Sequence, residues 1–166
     1  NTTYRIVAAV KGADGSTKLS EPLEMKTTDS GTGSLDDMKL NYLSYAEYTF
    51  DSNTLVGNYT VTIGNARPNS SGDPAKDGDV MIVLDLYGEM AADQSDIHLP
   101  AGDYTVSGEV GVKGTWSNVH TAFYMRENGE ASPAPMLDGV VSVEEDADGY
   151  KITAVMVLLD GRGIKA

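Results

Sequence analysis

Twenty-five carboxylates, twelve Lys and Arg, and two histidines, His98 and His120, are the charged groups from which this 166-residue chain could build chemistry. There is no cysteine, so neither thiolate catalysis nor a disulfide is available. Neither histidine has a second His or a Cys at metal-ligand spacing. His98 stands between Ile97 and Leu99 just ahead of a Pro-Ala-Gly turn, an ordinary place for a strand-end side chain. Two carboxylates held about 5–9 Å apart across a cleft would suit glycoside hydrolysis. Most of the acids, however, fall in turns such as Asp77-Gly78-Asp79 and Asp146-Ala147-Asp148-Gly149, where solvation leaves nothing to raise the pKa of a general acid. Glu145, Asp146 and Asp148 are close enough in sequence to offer oxygens to Ca²⁺, which takes about six to eight of them. The plainer reading of the same residues is an acidic hairpin turn, and the helix–loop–helix calcium pattern is absent. No other cofactor is implied.

Aromatic side chains are the better recognition elements, because sugars stack on ring faces while polar neighbours take their hydroxyls. Trp116, followed by Ser117 and Asn118 after Gly114-Thr115, is the leading candidate with Asn118 beside it; Tyr42 and Tyr45, with Tyr48 nearby, form a second cluster. The alternative for a lone tryptophan is a place in the core. Asn1-Thr2-Thr3, Asn58-Tyr59-Thr60 and Asn69-Ser70-Ser71 match the glycosylation sequon, a frequency that chance explains in so polar a chain.

The elements that must position these residues are β-strands. Tyr4, Ile6, Ala8 and Val10 alternate, as do Leu23 and Met25 beyond a Gly-containing loop, which predicts a two-stranded ribbon. Such a ribbon is marginal alone and needs something to dock on. Thr27 to Ser34 has the composition of a linker. Met38 to Phe50 lacks a clean period and reads as an irregular strand pair or a short helix, with Tyr and Thr favouring strand. In Asn58–Ile63 the residues Tyr59, Val61 and Ile63 point inward. Val80 to Tyr87 is apolar on both faces, as a central strand covered on both sides would be.

Pro100-Ala101-Gly102-Asp103 is a turn, with Gly102 free to take a positive φ, and it feeds a strand at Tyr104. Trp116 to Tyr124 is a further β-leaning stretch, and Ser132-Pro133-Ala134-Pro135 is expected to break the β pattern beyond it. Val140 to Leu159 forms a hairpin about the acidic turn, with Tyr150, Ile152, Ala154, Met156 and Leu158 on one face. The fold class is therefore all-β: an antiparallel β-sandwich, jelly-roll or immunoglobulin-like, over residues 37–166, preceded by the ribbon at 1–28 and a linker at 29–36.

A formal charge of −13 leaves no basic stripe for a phosphate backbone, so nucleic acid is excluded as a partner. No window approaches the roughly 20 apolar residues of a membrane helix. The first residue is Asn1 rather than Met, as in a fragment or mature product, so an upstream signal peptide or lipid-anchor Cys is compatible with the sequence.

Tyr4 and Ser20-Glu21-Pro22 resemble the last two strands of a fibronectin type III domain, where a tyrosine anchors the corner and Ser-x-Pro introduces the final strand. The family's earlier strands have no counterpart here. The remainder resembles β-sandwich modules of surface or secreted lipoproteins of Bacteroidota. The phrases that carry it are Asn58-Tyr59-Thr60-Val61, Val80 to Tyr87, Leu99-Pro100-Ala101-Gly102-Asp103-Tyr104-Thr105 and Gly149-Tyr150-Lys151-Ile152-Thr153. That resemblance implies an extracellular or outer-membrane-attached location and a role in cell adhesion or glycan handling, with no catalytic residues to carry over. The expectation is a non-enzymatic binding module for a glycan or surface protein. The alternatives are a carboxylate-dependent glycoside hydrolase or its accessory carbohydrate-binding domain. A strand missing after Asp160-Gly161 would leave an edge open to self-association.

Overall fold

The computed structural model describes residues 3–6, 9–11, 17–19, 23–26, 35, 38–147 and 149–166; for those before residue 35, and for Thr49, Phe50 and Asp146, the description is of backbone alone. The chain divides into two compact units, Asn1–Ser34 and Leu35–Ala166. In the first, β1 (Thr3–Ile6) pairs antiparallel with β4 (Leu23–Lys26), and β2 (Ala9–Lys11) with β3 (Thr17–Leu19). The second ladder is nested within the first along the chain, Ile6 standing opposite Leu23 and Ala9 opposite Leu19. Of the linker at 29–36 only Leu35 is among the described residues, and the Ser20-Glu21-Pro22 phrase lies outside them.

The second unit contains β5 (Tyr42–Asp51), β6 (Val56–Gly64), β7 (Val80–Glu89), β8 (Gly102–Ser107), β9 (Thr115–Ser117), β10 (Ala122–Glu127), β11 (Glu130–Asp146), β12 (Gly149–Leu158) and β13 (Gly163–Lys165). All nine join one hydrogen-bonded sheet, in the order β5-β6-β7-β9-β8-β11-β12-β13, while β10 pairs with both β7 and β11. Those two extra pairings close a ring of five strands, β7-β9-β8-β11-β10, so the centre of the sheet is a small barrel with β5-β6 and β12-β13 as wings. Every pairing is antiparallel except β8 with β9. Among the described residues there is no helix, and none long and apolar enough to cross a membrane. The all-β reading therefore stands. The helical alternative for residues 38–50 does not, because β5 is one long strand.

Alternation explains the core. Tyr59, Val61 and Ile63 of β6 are buried while the threonines between them are half exposed. On β7 both faces are covered: Ile82, Leu84 and Leu86 on one side, Met81, Asp85 and Tyr87 on the other. Each large apolar side chain so enclosed contributes about 1.5–3 kcal/mol. In β12, Ala154, Met156 and Leu158 face inward as their spacing requires, and β12 pairs with β11 from Met136 to Asp146. Gly139 sits beside the β-bulge in that ladder at φ +140, where a Cβ would collide with Val155 O. Its carbonyl receives the Trp116 indole N–H at 3.1 Å.

One local expectation is corrected. Ser132-Pro133-Ala134-Pro135 does not break the β pattern, since β11 runs through it. Pro135 O accepts Leu159 N–H on the side away from β10, so Pro133 and Pro135 turn their nitrogens to that same side and no ladder bond with β10 is lost. The β-leaning stretch from Trp116 to Tyr124 belongs to two strands, β9 and β10, joined by a turn at Asn118–His120 whose tip, Val119, is 79% exposed.

Candidate functional site: an open groove between a hairpin and a turn

The two ends of β7 differ in what covers them. Beyond Glu89 the chain crosses to β8 through residues 90–101, and inward side chains from four strands hold Glu89 and that crossover, chiefly by their backbone. Glu47 Oε1 accepts Ala91 N–H at 2.9 Å and its Oε2 accepts Gln94 Nε2–H at 3.1 Å. Tyr59 donates to Glu89 O at 2.6 Å, Tyr45 to Ile97 O at 3.2 Å and Tyr104 to Pro100 O at 2.7 Å, while Tyr150 accepts Leu99 N–H at 3.0 Å. Tyr45 and Tyr150 also meet edge to face, 5.5 Å between ring centroids, which brings the β5 wing onto the β12 wing. Gly57 is a glycine because a Cβ there would strike the Glu47 carboxylate and the Tyr59 ring. Burial pushes the Tyr104 and Tyr150 phenols up to about 12, and burial with the nearby Glu47 charge raises Tyr59 as well.

At the Val80 end the β10–β11 hairpin carries its inner face past the reach of the other wing. Met125 pairs with Ser132 and Phe123 with Ala134 across that hairpin, and opposite them stands the β12–β13 turn. Between lies a groove of about 560 Å³, floored by Phe123, Leu158 and Met125, walled by Pro133, Pro135 and Leu159, and rimmed by Glu127, Asp160 and Arg162. Leu159 is 63% exposed. The turn is hydrogen-bonded within itself: Gly161 takes φ +86, Leu158 N–H reaches Arg162 O at 2.8 Å, and Arg162 bonds Asp160 through its own N–H and its guanidinium. Those bonds, the backbone N–H first, hold the Asp160 carboxyl below the usual range. A volume of this size matches a ligand or side-chain pocket, apolar inside with a few polar groups to orient what enters.

The residues singled out from sequence do not converge here. Trp116 is fully buried, so its ring offers no face to a sugar; it fills the core because β9 pairs it with Leu86 of the central strand. Asn118 is half buried in the turn after β9. Tyr42 lines a separate hollow of about 280 Å³ with Tyr150 and Ile152, while the Tyr45 hydroxyl is committed to the crossover. Tyr48 is the exposed member of that cluster, at 61%. Glu145 lies 3.9 Å from His98, which itself approaches Asp96 at 3.1 Å on the surface. The Asp146 side chain and Asp148 lie outside the described residues, and among the described residues no three His, Asp or Glu are grouped to hold a metal. His120 is exposed in the Asn118–His120 turn.

Sequence reasoning missed Glu47 and Leu159. Glu47 carried a readable signal, a carboxylate on the inward alternation of a strand; Leu159, one residue past an alternating run, carried none. Asp85 is a second buried acid: Asn58 Nδ2 donates to it at 2.7 Å, and burial and its charge together push the neighbouring Tyr87 phenol up to about 12.

The comparisons with known proteins add no relative. No family model, no curated protein and no solved structure matches the chain.

Proposed function

We propose that this chain is a non-enzymatic module of a bacterial cell-surface protein, displayed extracellularly and adhesive in role, that grips a protein partner through the groove beside Leu159. The observation that carries the reading is that groove: an apolar floor open to solvent, framed by a hydrogen-bonded turn and a hairpin that carries Pro133 and Pro135. Aliphatic and proline side chains suit an apolar residue of a polypeptide better than a sugar, whose stacking needs a flat exposed ring. The burial of Trp116 moves the balance from glycan to protein for the same reason. The location, the fibronectin-like character of the N-terminal ribbon and a lipid anchor upstream are part of the proposal and rest on the resemblance to Bacteroidota surface modules. We further propose that the barrel is flattened into a two-layered sandwich, a view supported by the contact of Tyr45 on one wing with Tyr150 on the other.

Glycoside hydrolysis is the rival reading, since Glu127 and Asp160 both stand at the rim. A general acid needs a raised pKa, and that of Asp160 is lowered. The test is to pan a displayed peptide library on the whole chain and to screen the same chain on a glycan array. Apolar peptides whose binding weakens at least about tenfold in Leu159→Glu are expected, that substitution placing a charge in an apolar pocket. Specific glycan binding indifferent to Leu159→Glu, or no peptide enrichment, overturns the proposal.

A further inference from the structure

β12 leaves β11 early, and the part of β11 it leaves bare borders the groove. Leu158 stands opposite Met136 and Leu159 N–H reaches Pro135 O, after which Gly161 turns the chain into β13. The outer side of β13 is itself bonded, Lys165 N–H to Leu35 O at 3.1 Å and Met38 N–H to Lys165 O at 3.0 Å, which corrects the expectation of a vacant edge after Asp160-Gly161. On β11, Glu130 to Pro133 pair with β10 on one side and, among the described residues, with no strand on the other. Odd-numbered residues there turn their backbone groups away from β10, as Pro135 O does. The groups left free are therefore Ala131 N–H, Ala131 O and Pro133 O: two acceptors and one donor, since proline has no N–H to offer.

Charge at this mouth has one sign. Glu127 and Glu130 stand directly opposite each other, on the face that carries Phe123, Met125, Ser132 and Ala134. Neither has an ion-pair partner among the described residues. Like charges so placed repel unless a cation sits between them. The two arginines nearby are engaged, Arg126 with Pro74 O, Gly129 O and Asp77, and Arg162 with Asp160.

We infer, on the reading of the groove as a protein-binding site, that it takes an extended segment of the partner bearing an apolar residue and, two positions later, a lysine or arginine. The segment continues the line of β12, antiparallel to β11. Its residue opposite Pro133 donates N–H to Pro133 O, and its residue opposite Ala131 exchanges both bonds with Ala131. The residue between them, opposite Ser132, turns its side chain onto the groove face beside Met125. The residue opposite Glu130 brings its cation to Glu127 and Glu130. Main-chain bonds set the register and alternate side chains set the choice, as in strand addition to other sheet edges. A chain of formal charge −13 attracts such a segment and repels an acidic one.

The probe is the acetylated, amidated peptide Gly-Ser-Leu-Thr-Lys-Gly, titrated into the whole isotope-labelled chain and followed by nuclear magnetic resonance. Saturable shifts of the Ala131 and Leu159 amides are expected. N-methylation of the peptide's serine or threonine, whose N–H groups face β11, should weaken binding about threefold or more, the loss of one hydrogen bond. N-methylation of its leucine should leave binding unchanged. Glu127→Lys with Glu130→Lys should weaken it at least about tenfold, because like charges are then brought together. A peptide with glutamate in place of lysine should bind that variant better than the unaltered chain. Near-ultraviolet circular dichroism checks that the variant keeps its packing. No saturable binding of the lysine peptide, equal losses from all three methylations, or preference of the unaltered chain for the glutamate peptide overturns the inference. If apolar peptides without a cation bind as well and still weaken in Leu159→Glu, strand register and charge selection fall while the groove remains a protein-binding site. If no peptide depends on Leu159, both fall.

Discussion

At the Glu89 end of β7 five inward side chains converge on Glu89 and the crossover of twelve residues that follows it, 90–101, whereas at the Val80 end the inner face of the β10–β11 hairpin is left open above the β12–β13 turn. The contrast is one of chemistry as well as coverage. The covered end uses polar tips on large side chains: Glu47, Tyr45, Tyr59, Tyr104 and Tyr150 each fill space with carbon and bind loop backbone with oxygen. That arrangement satisfies amides which the loop would otherwise bury unpaired. The open end is floored by the carbon side chains of Phe123, Met125 and Leu158, and the side-chain bonds at its rim, those of Asp160 with Arg162, stay within the β12–β13 turn. One end is thus tied down by side-chain bonds, and the other is open to solvent.

Alkali should break the contrast most strongly. The Tyr104, Tyr150 and Tyr87 phenols are raised from 10.0 to about 12, and Tyr59 is raised as well. An unfolded chain releases these protons near its ordinary phenol value of 10.0 and the folded one only near 12. The stability they contribute is thus fully present below about pH 10 and lost as pH climbs toward 12. Phenolate absorbance and circular dichroism, recorded together, should show late-ionising tyrosines appearing with unfolding; ionisation of these same tyrosines near pH 10 in a folded chain contradicts this account.

Next in size is Glu47→Ala. It strips the Ala91 N–H of its acceptor and is expected to lower unfolding free energy by about 1–3 kcal/mol in urea titration. Tyr59→Phe, which removes only the bond to Glu89 O, should lower it by about 1 kcal/mol. Hydrogen exchange sharpens the assignment, because both changes should deprotect residues 90–101 and leave β10 unaffected. The smallest effect belongs to the open end: Leu159→Ser should change stability by no more than about 0.5 kcal/mol, as an exposed position does. A larger loss there would mean that the groove is part of the core.

Alternation makes much of the fold legible. Tyr59-x-Val61-x-Ile63 and Ala154-x-Met156-x-Leu158 each reveal an inward face, and the double-sided β7 reveals a strand at the centre. Period-two patterns are local, so they survive without knowledge of partners. Trp116 resembles a binding ring in sequence because its flanks, Thr115, Ser117 and Asn118, are polar. Thr115 and Ser117 are nonetheless buried, the first donating to Val112 O and the second accepting Val119 N–H, so polarity there is spent on nearby loop backbone. Pro133 and Pro135 look like a break because the side of the strand they face is set by β10 and β12, which a four-residue motif does not reveal.

The β class, the inward and outward sets of strands such as β6 and β12, the acidic balance and the lack of thiol chemistry were fixed by residue order, since each depends on a side chain and its immediate neighbours. The closing of five strands into a ring, the clamp on the crossover and the groove beside Leu159 were decided only in three dimensions. They arise where segments such as Glu47 and Ala91, or Phe123 and Leu158, meet through hydrogen bonds and packing that no local pattern encodes.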